Sequence, residues 1–310
     1  MKHYLNEVLF QRLIKLDEHD ELNLIWNVIL CDDTLCPLLR DEKIDVYYRG
    51  FKAFSLSLDG VIRNPIEFAN DLYNYDIPEQ LPGLDFMKYL PYMKQGIDLW
   101  YGARTNCLYK REFSQVIMRE NNSLNAGNQS DYFIIDMEHQ YKKGGAIPDL
   151  VGLIMERGKR QKPVFRMSII EVKYMDIAFS GVAGILSHIE DYVKLINDKE
   201  MLEDMMQDIR EMFFQSKKLG LLPGLRNQYE RIEISDEHPE LLLALVSRNT
   251  NNGKKQRTEE VESLRAILEK AIEKYVDYAD DICIAGTAEL GFGLYSDRKK
   301  SIKECLSQQI

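Results

Sequence analysis

The chain has 310 residues, 45% of them apolar, with 50 acidic against 40 basic side chains and a formal net charge of -10. That length suffices for one large domain or two modest ones with a true core. The charge argues against a nonspecific polyanion binder, whose affinity comes from concentrated Lys and Arg, and no apolar run approaches the length needed to cross a bilayer.

The opening stretch MKHYLNEVLFQRLIKLDEHDE is broken by charges every few residues, so neither a signal peptide nor a membrane anchor is expected. Of the cysteines, Cys31, Cys36, Cys107, Cys283 and Cys305, only the first two are close together, and no second Cys/His pair completes a zinc site. Free thiols in a reducing cytoplasm are the expectation. Charge is uneven: residues 1–100 carry 10 Lys and Arg against 17 Asp and Glu, whereas residues 101–175 carry 12 against 8.

In chain order, Leu5, Val8, Leu9, Leu13 and Leu16 fall at helical spacing and predict an amphipathic helix within residues 1–30. The stretch 43–60 predicts a hairpin turning near Arg49-Gly50. Its Tyr47, Tyr48, Arg49, Phe51 and Lys52 suit sheet packing first, and a base-stacking surface second. Residues 73–96, rich in Pro and Tyr, read as an irregular connection and as the boundary between an N-terminal region and the main domain. A helix is predicted over 104–120, then three strands over 131–141, 147–156 and 164–174, joined by turns rich in Gly and basic residues. Helices follow over 180–198 and from 199 to a stop at Gly220, then a strand over 240–248, a charged helix over 258–277 and a last strand within 281–295.

The second and third of the three strands carry charges that a buried strand does not normally tolerate. Residues two apart share a strand face, so Glu171 and Lys173 project together while Ile170, Val172 and Tyr174 project the other way. Asp149 follows Pro148 on the preceding strand, and an antiparallel hairpin brings it alongside Glu171. Burying two carboxylates and an ammonium is expensive unless they pair or hold a metal, and hard oxygen ligands suit Mg2+ or Mn2+.

This order of elements, with Pro148-Asp149 on the second strand and Glu171-Val172-Lys173 on the third, resembles the core of the PD-(D/E)xK nuclease superfamily, over roughly residues 104 to 250. Acidic-x-Lys triplets also occur at Asp41-Glu42-Lys43 and Asp297-Arg298-Lys299, but in polar stretches, and Pro148-Asp149 is the only Pro-Asp in the chain. The resemblance implies Asp149 and Glu171 as ligands of Mg2+ (or Mn2+), with the Val172 carbonyl as a third, and Lys173 as the catalytic lysine. Glu112 matches by position the acidic residue that the preceding helix supplies to such sites, with Glu120 as its competitor. Some exonuclease-like branches carry Gln-x-x-x-Tyr on the helix after the third strand. Here His188 and Tyr192 stand at those positions, on one helix face, so His departs from the pattern.

Lys142, Lys143, Arg157, Lys159, Arg160, Lys162 and Arg166 surround the strands, either as phosphate contacts or as solvated turn charges. Glu138 on the first strand either faces the same cleft or pairs across strands. No phosphate loop, dinucleotide fingerprint or nucleophile motif is present. The expectation is therefore an α/β protein with a restriction-endonuclease-like core, a central mixed sheet flanked by helices over 101–310, and an N-terminal α+β extension over 1–100. Its expected function is metal-dependent hydrolysis of nucleic acid, more DNA than RNA, in the cytoplasm, with no membrane partner and with a homodimer left open. The alternative is a non-catalytic nucleic-acid-binding or protein-interaction module on the same fold, or on an unrelated α/β fold.

Overall fold

A computed structural model describes residues 3–15, 20–63, 77–81, 85–103, 109–123, 130–138, 147–155, 164–174, 179, 184–223, 225, 232–246, 254–286 and 293–307. The chain is α/β. Its described elements are helices α1 (Glu7–Ile14), α2 (Glu21–Cys31), α3 (Asp85–Ala103), α4 (Tyr109–Asn122), α5 (Ile185–Asn197), α6 (Lys199–Lys218), α7 (Lys254–Lys274) and α8 (Ile302–Ser307). The strands are β1 (Leu35–Arg40), β2 (Lys43–Tyr48), β3 (Phe51–Ser57), β4 (Gly60–Arg63), β5 (Gln80–Leu81), β6 (Tyr132–Met137), β7 (Leu150–Met155), β8 (Val164–Tyr174), β9 (Glu233–Ile234), β10 (Glu240–Val246), β11 (Ile282–Gly286) and β12 (Lys300–Ser301). Strands β1 to β5 form an antiparallel meander, and the other seven form a mixed sheet ordered β12-β11-β10-β8-β7-β6, with β9 beside β8.

The mixed sheet is buried on both faces, as side-chain alternation along β7 and β8 requires. Leu150, Ile154, Ile170 and Val172 pack with Ile117 and Met118 of α4, joined by Cys36 and Leu38 of β1. Val151, Leu153, Phe165, Met167 and Ile169 pack the other way, against Ile185, Ile189 and Tyr192 of α5 and Ile209, Met212 and Phe213 of α6. Strands β6, β7 and β8 run antiparallel in succession, whereas β10 pairs with β8 in parallel after the crossover through α5 and α6. Glycine ends α6 as expected: Gly220 has φ +79°, the Leu221 N–H donates to Ser216 and the Gly220 N–H to Lys217, a Schellman closure.

The β2–β3 hairpin turns at Arg49-Gly50, both at positive φ, the requirement of a two-residue turn that matches strand twist. Two expectations need correction. The predicted N-terminal helix is two helices, with Leu5 in a bridge to Asp41 and Val8 exposed. The stretch read as irregular is helical from Asp85, despite Pro91 inside α3. Phe86, Leu90, Met93, Ile97, Trp100 and Tyr101 are all buried in the N-terminal core, and that stripe outweighs the ~3 kcal/mol cost of an interior proline. Helix α3 therefore runs across residue 100, where the sequence boundary was drawn.

The N-terminal elements pack directly on the rest of the chain. Leu219 of the loop after α6 belongs to their core, and Phe214 of α6 packs against it. Buried Gln215 clasps Leu5, accepting from its N–H at 2.7 Å and donating to its carbonyl at 2.9 Å. No described helix is long and apolar enough to cross a membrane. Among the described cysteines Cys31, Cys36, Cys283 and Cys305 are free thiols.

Candidate active site

The charged residues of the predicted hairpin meet where β7 begins and β8 ends. Leu150 is paired with Ile170, so the same antiparallel register, carried one residue on, sets Asp149 opposite Glu171 and then Pro148 opposite Val172. The Val172 N–H donates to Asp149 Oδ2 at 2.8 Å. Pro148 has no N–H, so the ladder supplies the Val172 carbonyl no donor from that position. That is a physical reason for proline immediately before the acid.

Glu171 and Lys173 are 4% and 2% exposed, on the sheet face that α5 covers. His188, in the first turn of α5, brings Nδ1 to 3.1 Å from Glu171 Oε2. The approach is off the hydrogen-bond direction, and that buried oxygen has no hydrogen-bond partner. From the other side of the sheet Lys110, at the start of α4, places Nζ 2.7 Å from Asp149 Oδ1. Two carboxylates, two lysines and an imidazole thus share one strand end.

These groups perturb one another in the manner expected of like charges held together out of water. Burial, with the Glu171 charge beside it, pushes the Asp149 carboxyl up to about 7 against the pull of Lys110. Burial works to raise Glu171 as well, but the neighbouring His188 and Lys110 prevail and hold it below the usual carboxylate range. Asp149 is therefore the member of the pair that keeps a proton longest. Burial lowers the Lys173 ammonium to about 8, although the Glu171 and Asp149 charges favour its protonated form.

The described residues gather no set of three or more His, Cys, Asp and Glu side chains able to cage a metal ion. Mg2+ nevertheless needs only one or two carboxylates, keeping waters and substrate oxygens elsewhere. Asp149 and Glu171 fit that demand: Glu171 Oε2 is a buried acceptor without a hydrogen bond, and a nearby cation would relieve the repulsion that raises Asp149.

Other predicted site residues are employed elsewhere. Glu112 pairs with Arg49, Oε1 to Nε at 2.7 Å, in a cleft lined by Tyr48, Asp98 and Gln115. Helix α4 thus sends a lysine to the carboxylates, and its acid to the hairpin tip. Tyr192 donates its hydroxyl to the Pro239 carbonyl at 2.6 Å. Pro239 precedes Glu240, which pairs with Ser168, so this contact lies about 13 Å along β8 from Glu171 at the rise of a strand. Burial holds the Tyr192 phenol far above its usual pKa, as suits a core hydroxyl. Glu120 pairs with neighbouring Arg119, Glu138 with Arg111 of α4, and Arg166 with Asp281 and the His238 carbonyl. In the hairpin, Phe51 packs edge-on against Trp100 and Tyr101, and Tyr48 donates to Asp98, so both aromatics are engaged by helix α3. Lys142, Lys143, Arg157, Lys159, Arg160 and Lys162 lie outside the described residues.

Lys110 is the residue that sequence reasoning missed. Its one signal was a cation in the first turn of a helix, where the macrodipole disfavours positive charge. No protein-family model, no curated protein and no solved structure matches this chain.

Proposed function

We propose that the chain is a divergent PD-(D/E)xK nuclease on a restriction-endonuclease-like core, hydrolysing phosphodiester bonds of nucleic acid, DNA more than RNA, with Mg2+ or Mn2+. The observation that carries this reading is the placement of Asp149 opposite Glu171 where β7 begins and β8 ends, with buried Lys173 on the same sheet face. The order α4, β6, β7, β8, α5, α6, β10, with β10 parallel to β8, supports the fold assignment.

Asp149 and Glu171, with the Val172 carbonyl, would hold the ion. When bound, it supplies Lewis-acid polarisation of the phosphate and activation of water near neutral pH. The chain's own residues do the rest. Lys173, with a pKa near 8, is present in both forms in mildly alkaline solution. Its neutral amine accepts a proton from attacking water, and its ammonium stabilises negative charge growing on the phosphate. His188, with Nδ1 3.1 Å from Glu171 Oε2, adds an imidazole beside that carboxylate.

The test is cleavage of linear, circular and single-stranded DNA and of RNA with Mg2+ or Mn2+. Lys173→Ala should lower the rate by about 10²–10³. Metal-dependent cleavage that survives this substitution would remove the mechanism. Binding of DNA without cleavage would turn the reading to a non-catalytic module.

A further inference from the structure

Both oxygens of Asp149 are already engaged: Oδ2 by the Val172 N–H at 2.8 Å and Oδ1 by the Lys110 ammonium at 2.7 Å. The first partner is backbone of a central strand and cannot leave. The second is a flexible side chain, 39% exposed, at the start of a helix whose dipole does not favour it. A divalent ion approaching Asp149 must therefore contend with Lys110. Charge points the same way: the Lys110 ammonium already sits on Asp149 Oδ1, and a divalent ion at the same carboxylate would stand beside it as a like charge.

We propose that Lys110 is the exchangeable cation of this site. It neutralises Asp149 while no divalent ion is bound, and when one enters it swings out to take a substrate phosphate. Buried Lys173, at 2% exposure, cannot play that part, which separates the two lysines into a mobile phosphate contact and a fixed catalytic group. Metal loading thereby creates part of the substrate site. The inference rests on the metal-dependent reading above and adds to it an order of events.

Site-resolved acylation of lysines, read by mass spectrometry on the full chain, tests it. Lys110 should be protected in EDTA, labelled several-fold faster at saturating Mn2+, and protected again when a phosphorothioate DNA duplex is added. In Asp149→Asn it should be labelled rapidly with or without Mn2+. Calorimetric titration with Mn2+ in alkaline buffer, where both carboxylates are ionised, adds a second readout. Lys110→Met keeps the aliphatic stem and removes the competitor, so it should bind Mn2+ about fivefold more tightly, the range expected for a half-exposed ion pair. If Mn2+ binds the wild type but Lys110 labelling does not change and Lys110→Met binds no tighter, this inference falls and the nuclease reading stands. If Mn2+ does not bind at all, both fall.

Discussion

Asp149 is the residue of the candidate site whose chemistry departs furthest from its sequence appearance. A carboxyl raised from 3.8 to about 7 binds a proton in the folded state that it has already lost in the unfolded one. Its favourable contribution is fully present below pH ~4 and disappears as pH rises through about 7. The metal-free wild type should therefore lose stability across that window, and Asp149→Asn should not. At pH ~8 the variant should be more stable by about 1–3 kcal/mol, a gain that Mn2+ abolishes by stabilising only the wild type. Urea unfolding at several pH values checks this, and a wild-type profile parallel to that of Asp149→Asn would refute the assignment of the proton. Glu171, Lys173 and their shared face were legible in the sequence because strand alternation is local. Lys110 was not, and His188, expected near the site from the resemblance, had no partner named, since each joins a helix to a strand across a layer boundary.

Among the elements, helix α4 and the β2–β3 hairpin form the least anticipated pair. Gly50 sits at φ +76° on the first turn of α4, and a Cβ there would come within 2.3 Å of the Arg111 carbonyl carbon. Its N–H donates to Gln115 Oε1 at 2.6 Å, while the Gln115 amide donates to the Thr34 carbonyl at 2.9 Å. The hairpin tip thus seats the helix turn that carries Lys110. Gly50→Ala combines backbone strain with a clash against main chain that cannot yield, and should cost at least about 2 kcal/mol by urea unfolding. The hairpin itself was readable from its alternation and its Arg-Gly turn. Helix α3 was obscured because Pro91 signals a break locally, and only the burial of its stripe overrules it.

At the scale of the whole molecule, the N-terminal region is tied to the mixed sheet by buried charge as well as by apolar packing. Asp136 of β6 is 1% exposed and receives Arg40 of β1 at 2.8 Å, with His3 3.4 Å away. Arg40 also donates to the Met137 carbonyl. Asp136→Ala would leave the Arg40 guanidinium buried without its carboxylate, and should destabilise the protein by about 3–5 kcal/mol in denaturant titration. A second buried anchor lies toward the start of β10, where Glu240, fully buried, accepts from Tyr132 at 2.7 Å and pairs with Lys299. It holds the segment after β11 to the sheet. Deleting residues 1–103 should yield insoluble protein rather than a free-standing core, because Phe214, Gln215 and Leu219 would lose their cover. Soluble, cooperatively unfolding material would count against that integration.

The sequence by itself determined the three central strands, the helices after them, the Gly220 stop, and which strand face carries Glu171 and Lys173. All of these follow from periodicities of two or 3.6 residues and from turn chemistry acting over a few positions. Only the tertiary structure decided the partners of those charges: Lys110 rather than Glu112 beside Asp149, His188 but not Tyr192 beside Glu171, and an N-terminal region packed on the core. Those choices depend on where distant elements come to rest, and the interactions that set them join residues remote in the chain, as Lys110 is from Asp149 and Leu5 from Gln215.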